Sequence, residues 1–228
     1  VNTQAVILDS NLNTGAAGIL INQQTGENAI NVIPGAAATI DHKFIDDNLS
    51  TIKNSKIFLT QLETSIDATM YALKMAKENG CSTILNPAPA RNLPDDCFEN
   101  IDFFTPNETE ASFFINQSIE SEKDCQSAAK GLLNKGVKNI LITLGDKGCF
   151  FKNQEEEFLL PAKKFSVPVV DTTGAGDAFN GAFSVALSKN KNYKEAIEFA
   201  NLVAGISVTR EGAANSMPTI DEIEENLQ

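Results

Sequence analysis

The chain has no tryptophan, one histidine, and only 18 lysines and arginines against 30 aspartates and glutamates, a formal net charge of −12 over 228 residues. So few cations exclude a broad nucleic-acid surface, because nothing here would neutralise phosphates across an extended face. A nucleotide is still allowed, since it needs only a local anion site. Any Ser-His-Asp or Cys-His device would have to be built on His42 alone, and in Asp-His-Lys-Phe at an expected helix start it reads as a solvated residue. The four cysteines, Cys81, Cys97, Cys125 and Cys149, form no C-x-x-C pair, which argues against zinc. A chain of this length needs no disulfide staples, so a reducing cytoplasm is the expected setting. No apolar run reaches the length of a bilayer span and no signal peptide is read at the front, so no membrane partner is expected.

What is present is ordinary for a globular protein: 42% hydrophobic and 21% charged residues, enough for one domain with at most a small appendage. Short apolar runs at 5–8, 16–22 and 29–33 predict β structure, with 23–28 as a hairpin loop and Pro34-Gly35 ending the sheet. The rhythm then becomes strand and helix in turn. Helices are expected at 41–53, at 65–79 between a Ser65 cap and Gly80, and at 107–115, 122–135, 175–188, 194–209 and 220–227. Strands are expected at 56–60, 82–85, 101–105, 139–144 and 167–170, with a second hairpin at 149–152 and 157–160. Such repetition means βαβ units: an α/β, three-layer arrangement with a mainly parallel central sheet flanked by helices. In these sheets ligands bind beyond the carboxyl ends of the strands. Four strands end there in polar or Gly/Pro stretches, beginning at Gln61, Asn86, Thr105 and Leu144.

The segment Val169-Val170-Asp171-Thr172-Thr173-Gly174-Ala175-Gly176-Asp177 carries the chemistry. A strand enters, two glycines turn the chain, and an apolar-periodic helix leaves. Gly174 and Gly176 let backbone N–H groups face one concavity, and the helix adds the positive end of its dipole. That is an anion hole suited to a phosphate in transfer. A carboxylate at its mouth, Asp177, would repel phosphate unless it has another task, and a general base for an incoming hydroxyl is one. Taken alone the loop leaves this open, because acidic residues also favour helix N-termini. Phe179 stands where a G-x-G-x-x-G loop needs glycine, and no G-x-x-x-x-G-K-[ST] occurs.

Asp171-Thr172-Thr173-Gly174-Ala175-Gly176-Asp177-Ala178-Phe179-Asn180-Gly181 resembles the carboxy-terminal signature of the ribokinase-like (PfkB) carbohydrate kinase family. Five further blocks resemble the family in order and at natural spacing: Gln61-Leu62-Glu63, 85–91, 105–111, 142–148 and 208–213. Within the family, N-P-A-P-A-R and T-P-N-E-T-E-A together are nearer the ribokinases than the fructokinases or adenosine kinases. The resemblance implies an ATP-dependent sugar kinase that converts D-ribose to ribose 5-phosphate. Asp177 would be the catalytic base, and Gly174, Ala175 and Gly176 the backbone that holds the transferred phosphate. Asn107 and Glu110 match the family's N-x-x-E motif, which supports phosphate and Mg²⁺, the ion being held through water; the same spacing also makes a helix capping box. Thr143, Gly145 and Gly148 resemble the nucleotide-binding turn, which read alone is a hairpin turn. Asn201 matches a position lining the adenine pocket and reads equally as a helix-surface residue. Glu63 matches a sugar contact. Asp171, Thr173, Ser207, Arg210, Gly212 and Ser216 align with a site for an activating K⁺ or other monovalent cation, formed mostly by backbone carbonyls.

The departure from the family is at the front. The glycine-rich segment that grips the sugar in ribokinases is not found, and the chain opens Val-Asn-Thr-Gln without methionine. Residues 1–35 are expected to be part of a β lid, and 36–228 the α/β nucleotide-binding and catalytic domain. The resemblance implies a homodimer through the lid for the full-length protein. The chain is expected to be an incomplete piece of a working kinase. The alternatives are a catalytically weak remnant that binds nucleotide or a partner, and a kinase of fructokinase or nucleoside type.

Overall fold

The computed structural model describes residues 2–21 and 28–226. Two strands open the chain, β1 (Thr14–Ile21) and β2 (Asn28–Gly35), paired antiparallel with Ala17 opposite Val32 and Gly18 opposite Asn31. The expected loop at 23–28 lies outside the described residues except for Asn28. The apolar run at 5–8 is not a strand. Val6, Ile7 and Leu8 are 66%, 68% and 95% exposed, and among the described residues β1 pairs only with β2, so this run has no described strand beside it to bond and no face to bury.

The expected helix at 41–53 is two, α1 (His42–Asp47) and α2 (Leu49–Lys53). Asn48 separates them: its side-chain amide donates to the Phe44 carbonyl at 2.8 Å, in competition with the helix's own bonds. His42 is not simply solvated; its Nε2 lies 2.9 Å from Asp67 Oδ2 and its ring stacks on Tyr71 with centroids 4.0 Å apart.

The βα alternation then builds a six-stranded sheet. In chain order come β3 (Ile57–Thr60), α3 (Ile66–Glu78), β4 (Ser82–Leu85), β5 (Phe103–Phe104), α4 (Glu108–Ile115), α5 (Glu122–Asn134), β6 (Asn139–Thr143), β7 (Cys149–Lys152) and β8 (Glu157–Leu160). Helices α6 (Ala175–Ser188), α7 (Tyr193–Ser207) and α8 (Ile220–Glu225) complete the chain. The spatial order is β3-β4-β5-β6-β7-β8; the first four strands are parallel and the last two antiparallel. Because the strand order follows the chain without reversal, right-handed crossovers put α3, α4 and α5 on one face. The other face is left for α6, α7 and α8.

Strand periodicity divides the core accordingly. Leu85, Phe104, Ile140, Ile142 and Phe150 pack with α3, α4 and α5. Ile84, Phe103, Leu141, Cys149 and Phe151, one step away along the same strands, pack with α6, α7 and α8. Alternate side chains leave opposite faces of a sheet, so near-continuous apolar runs are what a doubly covered sheet requires.

Two expected strands differ. Of 101–105 only Phe103–Phe104 pairs as a strand, because Ile101 closes a 3-10 turn and Asp102 turns its carboxylate to the Thr83 amide at 3.1 Å. Residues 167–170 are irregular. The sheet ends at β8, and the Val170 and Asp171 amides donate instead to the Val208 carbonyl, at 2.8 and 3.3 Å.

Asp102 lies 9% exposed at the amino ends of the strands, against Lys77 and with Lys138 Nζ at 2.9 Å. Burial alone would push its carboxyl up. The two ammonium groups and the Thr83 amide outweigh that and hold it below the usual carboxylate range. A carboxyl depressed in the folded state contributes stability above its unfolded pKa of about 3.9, lost as pH falls through the folded value. Urea midpoints measured downward from about pH 5 should therefore fall less steeply for Asp102→Asn than for the parent. Parallel curves would refute the assignment.

Candidate active site at the start of helix α6

Helix α6 starts from a glycine in the left-handed region: Gly174 has φ 76° and ψ 4°, a conformation open to glycine at little cost. A Cβ there would also sit 3.4 Å from Ala213 Cβ and Met217 Cε. The other helices of eight residues or more are capped by side chains, α3 by Ser65, α4 by Asn107, α5 by Ser121 and α7 by Asn192. No side chain caps α6. The Ala175 amide donates to the Thr172 carbonyl at 3.2 Å, while the Gly176 and Asp177 amides have no capping side chain and the positive end of the helix dipole behind them. A Cβ at Gly176 would meet nothing within 4 Å, so the backbone is open to approach there. Asp177, in the same turn, is exposed. An anion-attracting backbone and a carboxylate thus stand within one helical turn.

The carboxylate is held from the sheet. Asp177 Oδ1 accepts from Gln61 Nε2 at 2.9 Å, and the same amide donates to Asn86 Oδ1 at 3.0 Å. Asn86 Nδ2 donates to the Thr105 carbonyl at 2.7 Å, Thr105 Oγ1 to Asn180 Oδ1 at 2.7 Å, and Asn180 Nδ2 to the Gly176 carbonyl at 2.9 Å. Gln61, Asn86 and Thr105 are the first residues past β3, β4 and β5. A cleft of about 270 Å³ opens beside them, lined by Leu59, Thr60, Gln61, Asp177 and Asn180. Glu63 is exposed near the same edge and outside that lining.

The Asp171 carboxylate ties two loops together, accepting from the Thr173 amide at 2.8 Å and the Gly212 amide at 3.0 Å. These bonds hold its carboxyl below the ordinary range. The Ser207 and Ser216 hydroxyls are turned inward, onto the Ala204 and Ala213 carbonyls. Arg210 pairs outward with Glu222 at 2.9 Å, so from this residue only the backbone carbonyl is available to a cation. The structure therefore brings 171–173 and 207–216 together.

Asn107 and Glu110 form the capping box: Asn107 Oδ1 accepts from the Glu110 amide and Glu110 Oε2 from the Asn107 amide, both at 2.8 Å. Burial pushes the Glu110 carboxyl up, against the pull of the Asn107 amide. Glu110 Oε1 remains for a water-held cation, so the residues fit one. Asn107 also bridges to Thr143, whose amide donates to the Pro106 carbonyl at 3.0 Å. The N-x-x-E turn and the Thr143–Gly148 turn are therefore neighbours. Gly145 has φ 56° with open space where a Cβ would be, whereas Gly148 has φ 105° and a Cβ there would fall 2.0 Å from the Leu160 carbonyl oxygen. The approach of β8 by itself requires glycine at 148.

Asn201 lies elsewhere. It reaches the Pro161 carbonyl at 3.5 Å and lines a larger cleft of about 620 Å³ between α6, α7 and the segment after β8, which does not include Asp177.

The model of the pfkB family carbohydrate kinases matches residues 1–220. The chain belongs to that family. It is 39% identical over 215 residues to a ribokinase of Haemophilus influenzae, covering 94% of this chain and 69% of that one. The crystal structure of a Thermotoga maritima ribokinase superposes with a TM-score of 0.83 at 40% identity, over 95% of this chain and 70% of that one. An Arabidopsis thaliana ribokinase complexed with ribose and ATP superposes with a TM-score of 0.86 at 31% identity, over 96% and 70%.

For a pfkB kinase chain, the fold class and the family were readable from the motifs. The polar chain behind Asp177 was not. Gln61, Asn86, Thr105 and Asn180 come from four elements, and only their neighbourhood makes them a unit. The one available signal was a buried-type position holding a polar residue, as Asn180 does on the apolar face of α6, 3% exposed beside Phe179 and Phe183.

Proposed function

We propose that the chain transfers the γ-phosphoryl group of ATP to D-ribose, giving ribose 5-phosphate and ADP. The carrying observation is Asp177: a carboxylate in the first turn of an uncapped helix, beside a cleft at the strand ends. The 5-hydroxyl oxygen of the sugar attacks the γ-phosphorus, its proton passes to Asp177, and the bond from phosphorus to the leaving oxygen of ADP breaks. The backbone of Gly174, Ala175 and Gly176 receives charge developing on the transferred group. Glu63 holds the sugar.

Asn107, Thr143, Gly145 and Gly148 receive the phosphate end of the nucleotide, and Asn201 its base. Glu110 would hold Mg²⁺ through water, and the ion would supply charge neutralisation at the phosphates. Asp171, Thr173, Ser207, Arg210, Gly212 and Ser216 would hold K⁺ or another monovalent cation, bracing the loop before α6. The exposed Ile19, Leu20, Val32 and Ile33 on β1 and β2 support the reading of 1–35 as lid and dimer surface. The four free, buried cysteines suit a cytoplasmic enzyme.

A coupled ADP-release assay with ribose, fructose and adenosine tests the reading. ADP release that depends on ribose is expected. Nucleotide binding without turnover would overturn the proposal for this chain, and preference for fructose or adenosine would overturn the sugar.

A further inference from the structure

The hydrogen bonds around Asp177 have a fixed direction. A carbonyl oxygen can only accept, so the Asn86 amide must turn its NH₂ to the Thr105 carbonyl, which leaves Asn86 Oδ1 as an acceptor. Gln61 must then present its own NH₂ to Asn86, and the second N–H of that group points at Asp177 Oδ1. The far side is fixed in the same way. The Gly176 carbonyl sets the Asn180 amide, whose oxygen takes the Thr105 hydroxyl proton. Asn86, Thr105 and Asn180 are 7%, 1% and 3% exposed, and no buried side-chain polar atom among the described residues lacks a partner. Such a chain cannot be reversed without leaving buried groups unpaired.

We propose that Gln61 is the positioning residue of the Asp177 carboxylate. It donates to Oδ1, which fixes the side-chain rotamer and leaves Oδ2 as the oxygen that faces the substrate hydroxyl. It touches neither phosphate nor sugar in this role and acts through Asp177. The inference rests on Asp177 being the base. The backbone carbonyl of Gly176 and the side chain of Asp177 are one residue apart on the same turn, so the network also ties the carboxylate to the anion-attracting backbone.

The test uses Gln61→Met, which keeps length and loses the donor, and Gln61→Glu, which sets a second carboxylate against the first. A hydrogen bond to a charged group predicts a fall in kcat of roughly ten- to a hundredfold for Gln61→Met. A larger fall is expected for Gln61→Glu. KM for ATP should stay at its parent value, and the melting temperature should fall only modestly, since Asn86 Oδ1 loses its donor. A merely structural role would instead leave kcat of the folded variant at the parent value, or lower nucleotide affinity together with the melt, and either result would overturn the proposal.

A double variant, Gln61→Met with Asp177→Asn, should turn over no more slowly than Asp177→Asn alone, because the two act as one unit. Additive losses would overturn the proposal. If Asp177→Asn retains parent turnover, or the parent has none, the reading of the base fails and this inference falls with it. If Asp177→Asn is inactive while Gln61→Met matches the parent, the base stands and the role of Gln61 is refuted.

Discussion

Asp177→Asn is expected to lower the rate of ADP release by about 10²–10⁴-fold, the contribution typical of a positioned general base. Asparagine keeps the shape of the side chain and an oxygen that can still accept from Gln61 Nε2, so the polar chain through Asn86, Thr105 and Asn180 survives. What it loses is the capacity to take a proton. Binding of ATP should hold or tighten, since a negative charge is removed from beside the first turn of α6. The signature is thus a large loss in kcat with an unchanged thermal melt and an undiminished nucleotide affinity. Retention of more than about a tenth of parent turnover would be below any general-base contribution of that size and would reduce Asp177 to a helix-terminus charge.

The second large effect is on stability. Gly148→Ala should destabilise the fold by about 2–5 kcal/mol, from left-handed strain and overpacking together. The residue has φ 105°, and an added Cβ would run into the backbone of 160–162: the Leu160 oxygen at 2.0 Å, and Ala162 N and Pro161 C at 2.6 Å. Backbone at the end of a paired strand cannot step aside as a flexible side chain can. Gly176→Ala makes the contrast. It lies inside α6 with open space around its Cβ position, so the melt should hold or rise by up to about 1 kcal/mol from helix propensity. Turnover should fall, because the methyl would occupy the approach to the anion-attracting turn. Thermal melts of the two variants, set against their ADP release, separate a glycine that the fold requires from one that it does not. A Gly148→Ala variant that melts with the parent would contradict the packing described.

The helices and strands of the α/β region were legible because local pattern and global fold agree there. Strand β4 (Ser82–Leu85), the β7–β8 hairpin and α6 have the bounds that their apolar runs, turn residues and caps predict. The apolar runs at 5–8 and 167–170 were misleading for a common reason. A strand is defined by its partner, and composition carries no information about whether a neighbour is within bonding distance. Asn48 divided the first helix through its own side-chain amide, a local choice that competes with helix and cannot be ranked from periodicity alone. The family assignment rested on motifs, and the matched residues 1–220 include every block that suggested it.

The glycine turn shows where the two kinds of information part. By itself the sequence determined that a flexible, donor-rich backbone precedes an apolar helix with an aspartate in its first turn, because glycine torsions, helix periodicity and side-chain charge are local properties. Only the tertiary structure decided which way the Asp177 carboxylate is held, since Gln61, Asn86, Thr105 and Asn180 meet through sheet order and crossover handedness. It also separated Gly148, required by β8, from Gly176, which faces open space. Hydrogen-bond direction and steric contact depend on distances between segments far apart in the chain, and those are set only when the sheet closes on its two layers of helices.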